Sequence, residues 1–278
     1  MHIIDPDRYP LAPGAAYVPP VHNIWDAVAN ETTFGMKHIV IVQPSIYGYD
    51  NTALLESLRA LGPTRARAVV QFQPSINRTT LQAWHQLGVR GVRLNLQSTD
   101  QTVNATAFAA TLRQYADIIR PLGWVLQAYI SMDLIGALES TIRDLGVPFC
   151  VDHFGQPSAS PVNSSAKNFD PYTIPGFPAT IRLLQGGHMW VKFSANYRVN
   201  LTAHGLETVG KEILRVRSDR VVWATDWPHT RFEGVDIRPF EEEVLEWCEE
   251  IDAVEQVFST NAKCLWGIYS SAQGCQIV

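Results

Sequence analysis

Seven short runs in this chain are apolar almost without interruption, and helical patterns separate them. The runs are KHIVIVQ (37–43), RARAVVQF (65–72), VRGVRLN (89–95), WVLQAYI (124–130), PFCVDH (148–153), MWVKFS (189–194) and DRVVWATD (219–226). A strand covered on one face alternates apolar with polar residues, whereas near-continuous apolar runs of this length need cover on both faces. Between them lie TALLESLRALG, TLQAWHQLG, ATAFAATLRQYADIIRPLG, DLIGALESTIRDLG, FPATIRLLQGG and LETVGKEILRVR. Several of these end in Gly, which takes the left-handed conformation that stops a helix without a Cβ clash.

A stub at 2–4 raises the strand count to eight. Strand and helix alternating throughout predict an α/β fold of the (β/α)8 TIM-barrel type, one domain over 1–278 with 267–278 as a tail. An open doubly wound sheet is the rival, but the first βα turn carries no glycine-rich phosphate loop. The opening MHIIDP puts His2 directly behind Met1. The first strand is therefore expected to be truncated at the N-terminus, with its neighbours' edges partly unpaired, and the start reads as internal to a longer frame. The loop 155–175, rich in Pro, Ser and Asn, reads as a rim excursion or lid.

Composition narrows the partners. A formal net charge of −5 and scattered basic pairs give no phosphate-tracking patch, so nucleic acid is not expected. No run of about 20 apolar residues predicts a membrane span. The N-terminus has no basic segment followed by an apolar one, so a cytoplasmic location is expected. The four cysteines show no CxxC and no zinc-like spacing. The Asn-x-Ser/Thr matches at Asn77, Asn104 and Asn163, among others, read as chance. A small organic anion is the expected partner, and the oligomeric state is left open.

In a parallel barrel the C-terminal ends of the strands converge on one mouth. Those ends read His2, Gln43 with Ser45, Gln71 with Gln73, Arg93 with Asn95, Gln127 with Tyr129, His153, Ser194 with Arg198 beyond it, and Asp226 with His229. One polar strand end is ordinary, and one histidine there is more often structural than catalytic. Eight together, with three histidines, two arginines and an aspartate, point to a site. Asp226 closing an apolar strand suits a general base for water. His2 and His153 suit polarising a carbonyl or ligating a metal. Arg93 and Arg198 offer forks for a substrate carboxylate. No GxSxG elbow is present, so hydrolysis by activated water is expected.

The segments MHIIDPDRYPLAPGAAYVPP, VQPSIYGYDN (42–51), GVRGVRLN (88–95), GWVLQAY (123–129), VDHFGQP (151–157), KFSANYR (192–198) and VVWATDWPH (221–229) also carry a resemblance. In content and order the chain resembles the amidohydrolase superfamily, in its 2-pyrone-4,6-dicarboxylate lactonase-like branch. That resemblance implies Asp226 as general base, with His153 and His2 as the motif histidines. It further implies Arg93, Arg198 and Tyr129 on substrate carboxylates, with Ser45 and His229 lining the pocket. Two departures bear on metal. The His-x-His motif has Met1 at its middle place and nothing before it, and the fifth-strand histidine is replaced by Gln127 and Tyr129. A site without metal or other cofactor is expected. A zinc on His2, His153 and Asp226 is the alternative, within a metal-dependent decarboxylase or amidohydrolase, and a catalytically impaired binding barrel is the further one.

Overall fold

A computed structural model describes residues 1–96, 104–158 and 162–268. Among these, seven parallel strands follow one another in sequence order: β1 (Ile39–Val42), β2 (Ala66–Val70), β3 (Val89–Asn95), β4 (Val125–Tyr129), β5 (Phe149–Val151), β6 (Met189–Phe193) and β7 (Val221–Trp223). Each lies inside one of the runs picked out above. The helices are α1 (Ile24–Thr33), α2 (Thr52–Leu61), α3 (Arg78–Leu87), α4 (Ala105–Ile119), α5 (Met132–Ala137), α6 (Glu139–Arg143), α7 (Phe177–Gln185), α8 (Ala203–Arg217), α9 (Arg238–Glu249) and α10 (Asn261–Leu265). No described helix is long and apolar enough to cross a membrane.

Both strand faces are dry, as the apolar runs require. On β6, Met189, Val191 and Phe193 join the outer cluster against the helices, while Trp190 joins an inner one with Val42, Val69, Val125, Cys150 and Val222. Burying a side chain of this size contributes about 1.5–3 kcal/mol, so the two faces share the work of holding the sheet. Trp266 belongs to the inner cluster. It presses so close to β3 that only a glycine fits there. A Cβ on Gly91 would lie 2.9 Å from the Val125 carbonyl oxygen and 3.2 Å from the Trp266 ring.

Two helices differ from expectation. The pattern at 133–146 forms α5 and α6 rather than one helix. The break falls at Leu138, beside Gly136, where a Cβ would come 3.0 Å from the Gly176 Cα of the neighbouring loop. Helix α1 has no counterpart in the sequence reading, although its start is written in it. The Asn23 side chain accepts from the Trp25 and Asp26 amides and Asp26 accepts from the Asn23 amide, a reciprocal capping box. The matches at Asn77 and Asn104 are likewise helix caps.

The expected strand stub at 2–4 is an extended segment rather than a strand. Met1 donates to the Val40 carbonyl (3.3 Å) and its own carbonyl accepts from the Val42 amide (2.8 Å). On the other side the His2 amide donates to the Trp227 carbonyl (2.7 Å). Ile4 then turns to pair antiparallel with His22, which ends the ladder after two residues. The neighbouring edges are thus bonded where partly unpaired ones were expected. Of the 155–175 loop, Ser158 bridges Asn200 and the Gln156 side chain donates to the Arg198 carbonyl (2.5 Å), tying it to the turn after β6. Most of the expected 267–278 tail lies outside the described residues.

Candidate active site

Strand register sets the depth of each polar side chain. Arg93 on β3 stands opposite Gln127 on β4, and Gln127 opposite Cys150 on β5, so Asp152 projects just beyond the same level. The Asp152 carboxylate is 3% exposed and fully engaged. Gln127 Nε2 donates to both of its oxygens (2.8 and 3.0 Å), Arg93 Nε donates to Oδ2 (3.3 Å), and Lys192 Nζ lies 3.0 Å from Oδ1. Burial opposes its ionisation, but the Lys192 and Arg93 charges outweigh that and hold it below the usual carboxylate range. Lys192 reaches this cluster because it alternates inward on β6 with Trp190 and Ser194.

Asp226 is arranged differently. It follows β7 with a left-handed backbone (φ 56°), just before the cis Trp227–Pro228 peptide. Its Oδ2 accepts from Arg198 Nε (2.8 Å) and the Tyr197 hydroxyl (2.9 Å). Its Oδ1 meets only two imidazoles, His2 Nε2 and His153 Nε2, each at 3.8 Å. Burial again opposes ionisation, and the neighbouring His153 and Arg198 outweigh it, so the group is held well below its ordinary range.

Burial disfavours the charged form of both imidazoles. Burial, with Arg93 adding to it, lowers His2 to about 3, and burial also lowers His153. His2 Nδ1 lies 2.8 Å from the Val42 carbonyl oxygen, an acceptor only, so the ring proton sits on Nδ1 and Nε2 carries a lone pair. His153 Nδ1 is 2.8 Å from the Ser194 hydroxyl. A lone-pair nitrogen and a carboxylate oxygen 3.8 Å apart do not bond to one another, but a proton donor such as water between them can bond to both.

Above this pair the cavity is lined by Ser45, Asn95, Tyr129, Arg198, Thr230 and Arg231, with Tyr17 from the 6–20 loop. Tyr129 sets its ring edge-on to His153 at 4.8 Å. The expected residues His2, Arg93, Tyr129, His153, Ser45, Arg198 and Asp226 therefore do surround one cavity. His229, expected in the lining, is buried beside Tyr197. Its Nδ1 is 2.9 Å from the Tyr197 hydroxyl, and burial lowers it to about 4. The ends of β1 and β2 contribute less than expected. Gln43 donates to the Gly48 and Asp50 carbonyls and so spends its amide nitrogen on loop structure, while Asn51 clamps only the Gln71 backbone (2.7 and 3.0 Å) and leaves the buried Gln71 Nε2 without a hydrogen-bond partner among the described residues. Asp152, Lys192 and Tyr197 were not singled out from the sequence. The signals were a lone lysine within an otherwise dry strand and the aspartate preceding His153.

Among the described residues no group of three or more His, Cys, Asp or Glu is placed to hold a metal ion. Asp226 Oδ2 is taken by Arg198 and Tyr197, and the β4 position that could add an imidazole carries Gln127.

The family model for amidohydrolases matches residues 1–268. The chain is 26% identical over 245 residues to 4-sulfomuconolactone hydrolase of Hydrogenophaga intermedia, covering 86% of this chain and 76% of the relative. It is 28% identical over 240 residues to 2-pyrone-4,6-dicarboxylate hydrolase of Comamonas testosteroni, covering 82% and 75%. A crystal structure assigned as a 2-pyrone-4,6-dicarboxylic acid hydrolase of Pseudomonas putida superposes with a TM-score of 0.78 at 25% identity, covering 97% and 96% of the two chains. The motifs, the strand order and these likenesses agree: the chain belongs to the amidohydrolase family and is a hydrolase.

Proposed function

We propose that this hydrolase opens a small carboxylated lactone with water, without a metal. The observation that carries the reading is the half-free carboxylate of Asp226, whose Oδ1 faces His2 Nε2 and His153 Nε2 at 3.8 Å while Arg198 and Tyr197 hold Oδ2. The lactone hydrolases among its relatives support the substrate class. Water hydrogen-bonded to Asp226 Oδ1 attacks the lactone carbonyl carbon, and its proton passes to Asp226. The oxyanion that forms lies beside the arginine donors and His153, whose Nε2 carries the ring proton when Nδ1 accepts from the Ser194 hydroxyl, a setting in which one preorganised donor is worth roughly 3 kcal/mol. The ring carbon–oxygen bond then breaks and Asp226 returns the proton to the leaving oxygen, which restores the base. Arg93, Arg198 and Tyr129 hold the substrate carboxylate, and Ser45 contributes to the same wall.

Arg198 does two things in this scheme. Its contact with Asp226 keeps the free base ionised but weak. A substrate carboxylate drawing the guanidinium toward itself raises the proton affinity of Asp226 where water is bound, so base strength follows substrate binding. The test is a panel of carboxylated lactones and pyrones, followed by acid release, with and without a chelator. Ring opening unaffected by chelator supports the reading. Turnover lost on chelation and restored by zinc sinks its metal-independent part, and no opening of any carboxylated lactone sinks the substrate class.

A further inference from the structure

Three arginines face the cavity, and two of them are already neutralised within the chain. Arg93 is bonded to Asp152 and Arg198 to Asp226. Arg231 is not: among the described residues its guanidinium makes no ion pair and donates no hydrogen bond. It is exposed at the mouth, lines the cavity opposite Arg93 and Tyr129, and lies over the Tyr17 ring with its carbon 5.1 Å from the ring centre. Such stacking on an aromatic face holds a guanidinium in place while leaving its edge donors free.

The backbone also aims this side chain. Arg231 has a left-handed φ of 68°, a conformation that a long side chain seldom adopts without outside support. That support comes from both sides. The Arg231 amide donates to Glu233 Oε1 (3.1 Å), and the preceding Thr230 carbonyl accepts from Arg198 Nη2 (2.8 Å). The rim arginine is thus tied through one peptide to the arginine beside the base. Glu233 holds the backbone, not the guanidinium.

We propose that Arg231 is a specificity-determining residue that reads a second anionic group on the substrate, remote from the bond being cleaved. This rests on the proposed function and sharpens it: the preferred lactone carries one anion held within the cavity and another at the rim. The in-chain pairing explains the division of labour. Arg198 must share its charge with Asp226, so a cation without an internal partner supplies the attraction for a second anion. Tyr17 is the positioning residue for that cation.

The experiment uses an inert ring first, so that its outcome does not depend on the reaction. Calorimetry on the full chain compares isophthalate, which carries two carboxylates, with benzoate, which carries one. Wild type is expected to prefer isophthalate. Arg231→Gln is expected to weaken isophthalate about 10- to 100-fold, the range for a hydrogen-bonded charge contact, and to weaken benzoate far less. Arg231→Lys should recover part of the loss, and Tyr17→Ala should reproduce a smaller one. With a hydrolysed dianionic lactone the same variant should raise KM and leave kcat within a few-fold. No preference of the wild type for isophthalate, or the same loss for both probes, overturns the assignment even if lactones are hydrolysed. If isophthalate responds to Arg231 but no lactone opens, the proposed reaction fails while the anion site stands.

Discussion

Two buried aspartates, Asp152 directly after β5 and Asp226 three residues after β7, share one pocket, each bonded to an arginine, and they are built to opposite ends. Asp152 has both oxygens saturated by Gln127, Arg93 and Lys192, all from regular strands. Asp226 has one oxygen saturated by Arg198 and Tyr197 and the other facing two imidazoles at 3.8 Å. Ionisation of both is favoured by their neighbours against the cost of burial. The difference is therefore not charge but unspent hydrogen-bonding capacity, and it separates a carboxylate suited to scaffolding from one suited to take a proton.

Removing the charge from each aspartate is the strongest way to break that contrast. Asp226→Asn is expected to cut kcat by about a thousandfold or more, the upper part of the range for a positioned base, while binding of a carboxylated ligand stays largely intact. Turnover near wild type in this variant would remove Asp226 as the base. Asp152→Asn should act on the fold instead. It leaves Arg93 and Lys192 buried beside an amide, and breaking a buried pair costs about 3–5 kcal/mol in denaturant unfolding. The double variant Asp152→Asn with Lys192→Met, which restores the charge balance, should regain part of that stability. A single variant as stable as wild type would show that Asp152 is not the keystone its geometry indicates.

Half of this contrast was legible in the sequence. Dry runs of strand length fix where β1–β7 lie, and the mouth of a parallel barrel collects their ends, which is how Asp226, His153, Arg93 and Tyr129 come to be named from spacing and motif. What spacing does not carry is which polar groups spend their bonds on each other. Gln71 and Gln127 are equally eligible by spacing, yet only the Gln127 amide reaches Asp152, while Asn51 holds the Gln71 backbone and its side-chain Nε2 finds no partner among the described residues. Lys192 stayed hidden because a single lysine in MWVKF reads as a solvent-facing interruption until the inward alternation of Trp190, Lys192 and Ser194 is known. Arg198 was read as free for substrate, and its bond to Asp226 depends on the turn after β6, where Ala195 takes a left-handed φ of 50°.

The histidines sharpen the comparison through pH. His229, an ordinary imidazole near 6.5 when unfolded and lowered to about 4 by burial in the fold, binds a proton more readily in the unfolded chain between those values. Its contribution to stability is therefore complete above about pH 6.5 and is lost as pH falls toward 4, at up to about 1.4 kcal/mol per pH unit. Burial raises Glu31 and Glu241, which oppose this trend in the same window, so the informative quantity is a difference. Urea unfolding of wild type and His229→Gln between pH 7 and pH 4.5 should converge as pH falls, with the wild type losing more. Parallel curves would mean that His229 takes up its proton at the same pH in the folded protein as in the unfolded chain.

Tyr197→Phe carries the smallest expected effect and bears most directly on why Asp226 differs from Asp152. The hydroxyl has a single proton and donates it to Asp226 Oδ2, so it must accept from His229 Nδ1–H at 2.9 Å. Removing it strips one of the two donors from Oδ2 and leaves an imidazole N–H without its acceptor. Fold and substrate affinity should be nearly unchanged, while kcat falls a few-fold, as losing about 1 kcal/mol of hydrogen bonding implies. The stronger readout is the acid limb of the kcat profile. A donor to the ionised form is gone, so the apparent pKa of the base should move up, and with it the pH below which turnover declines. An acid limb that stays in place while kcat falls would reduce Tyr197 to packing, and saturation of Oδ2 would then rest on Arg198 alone.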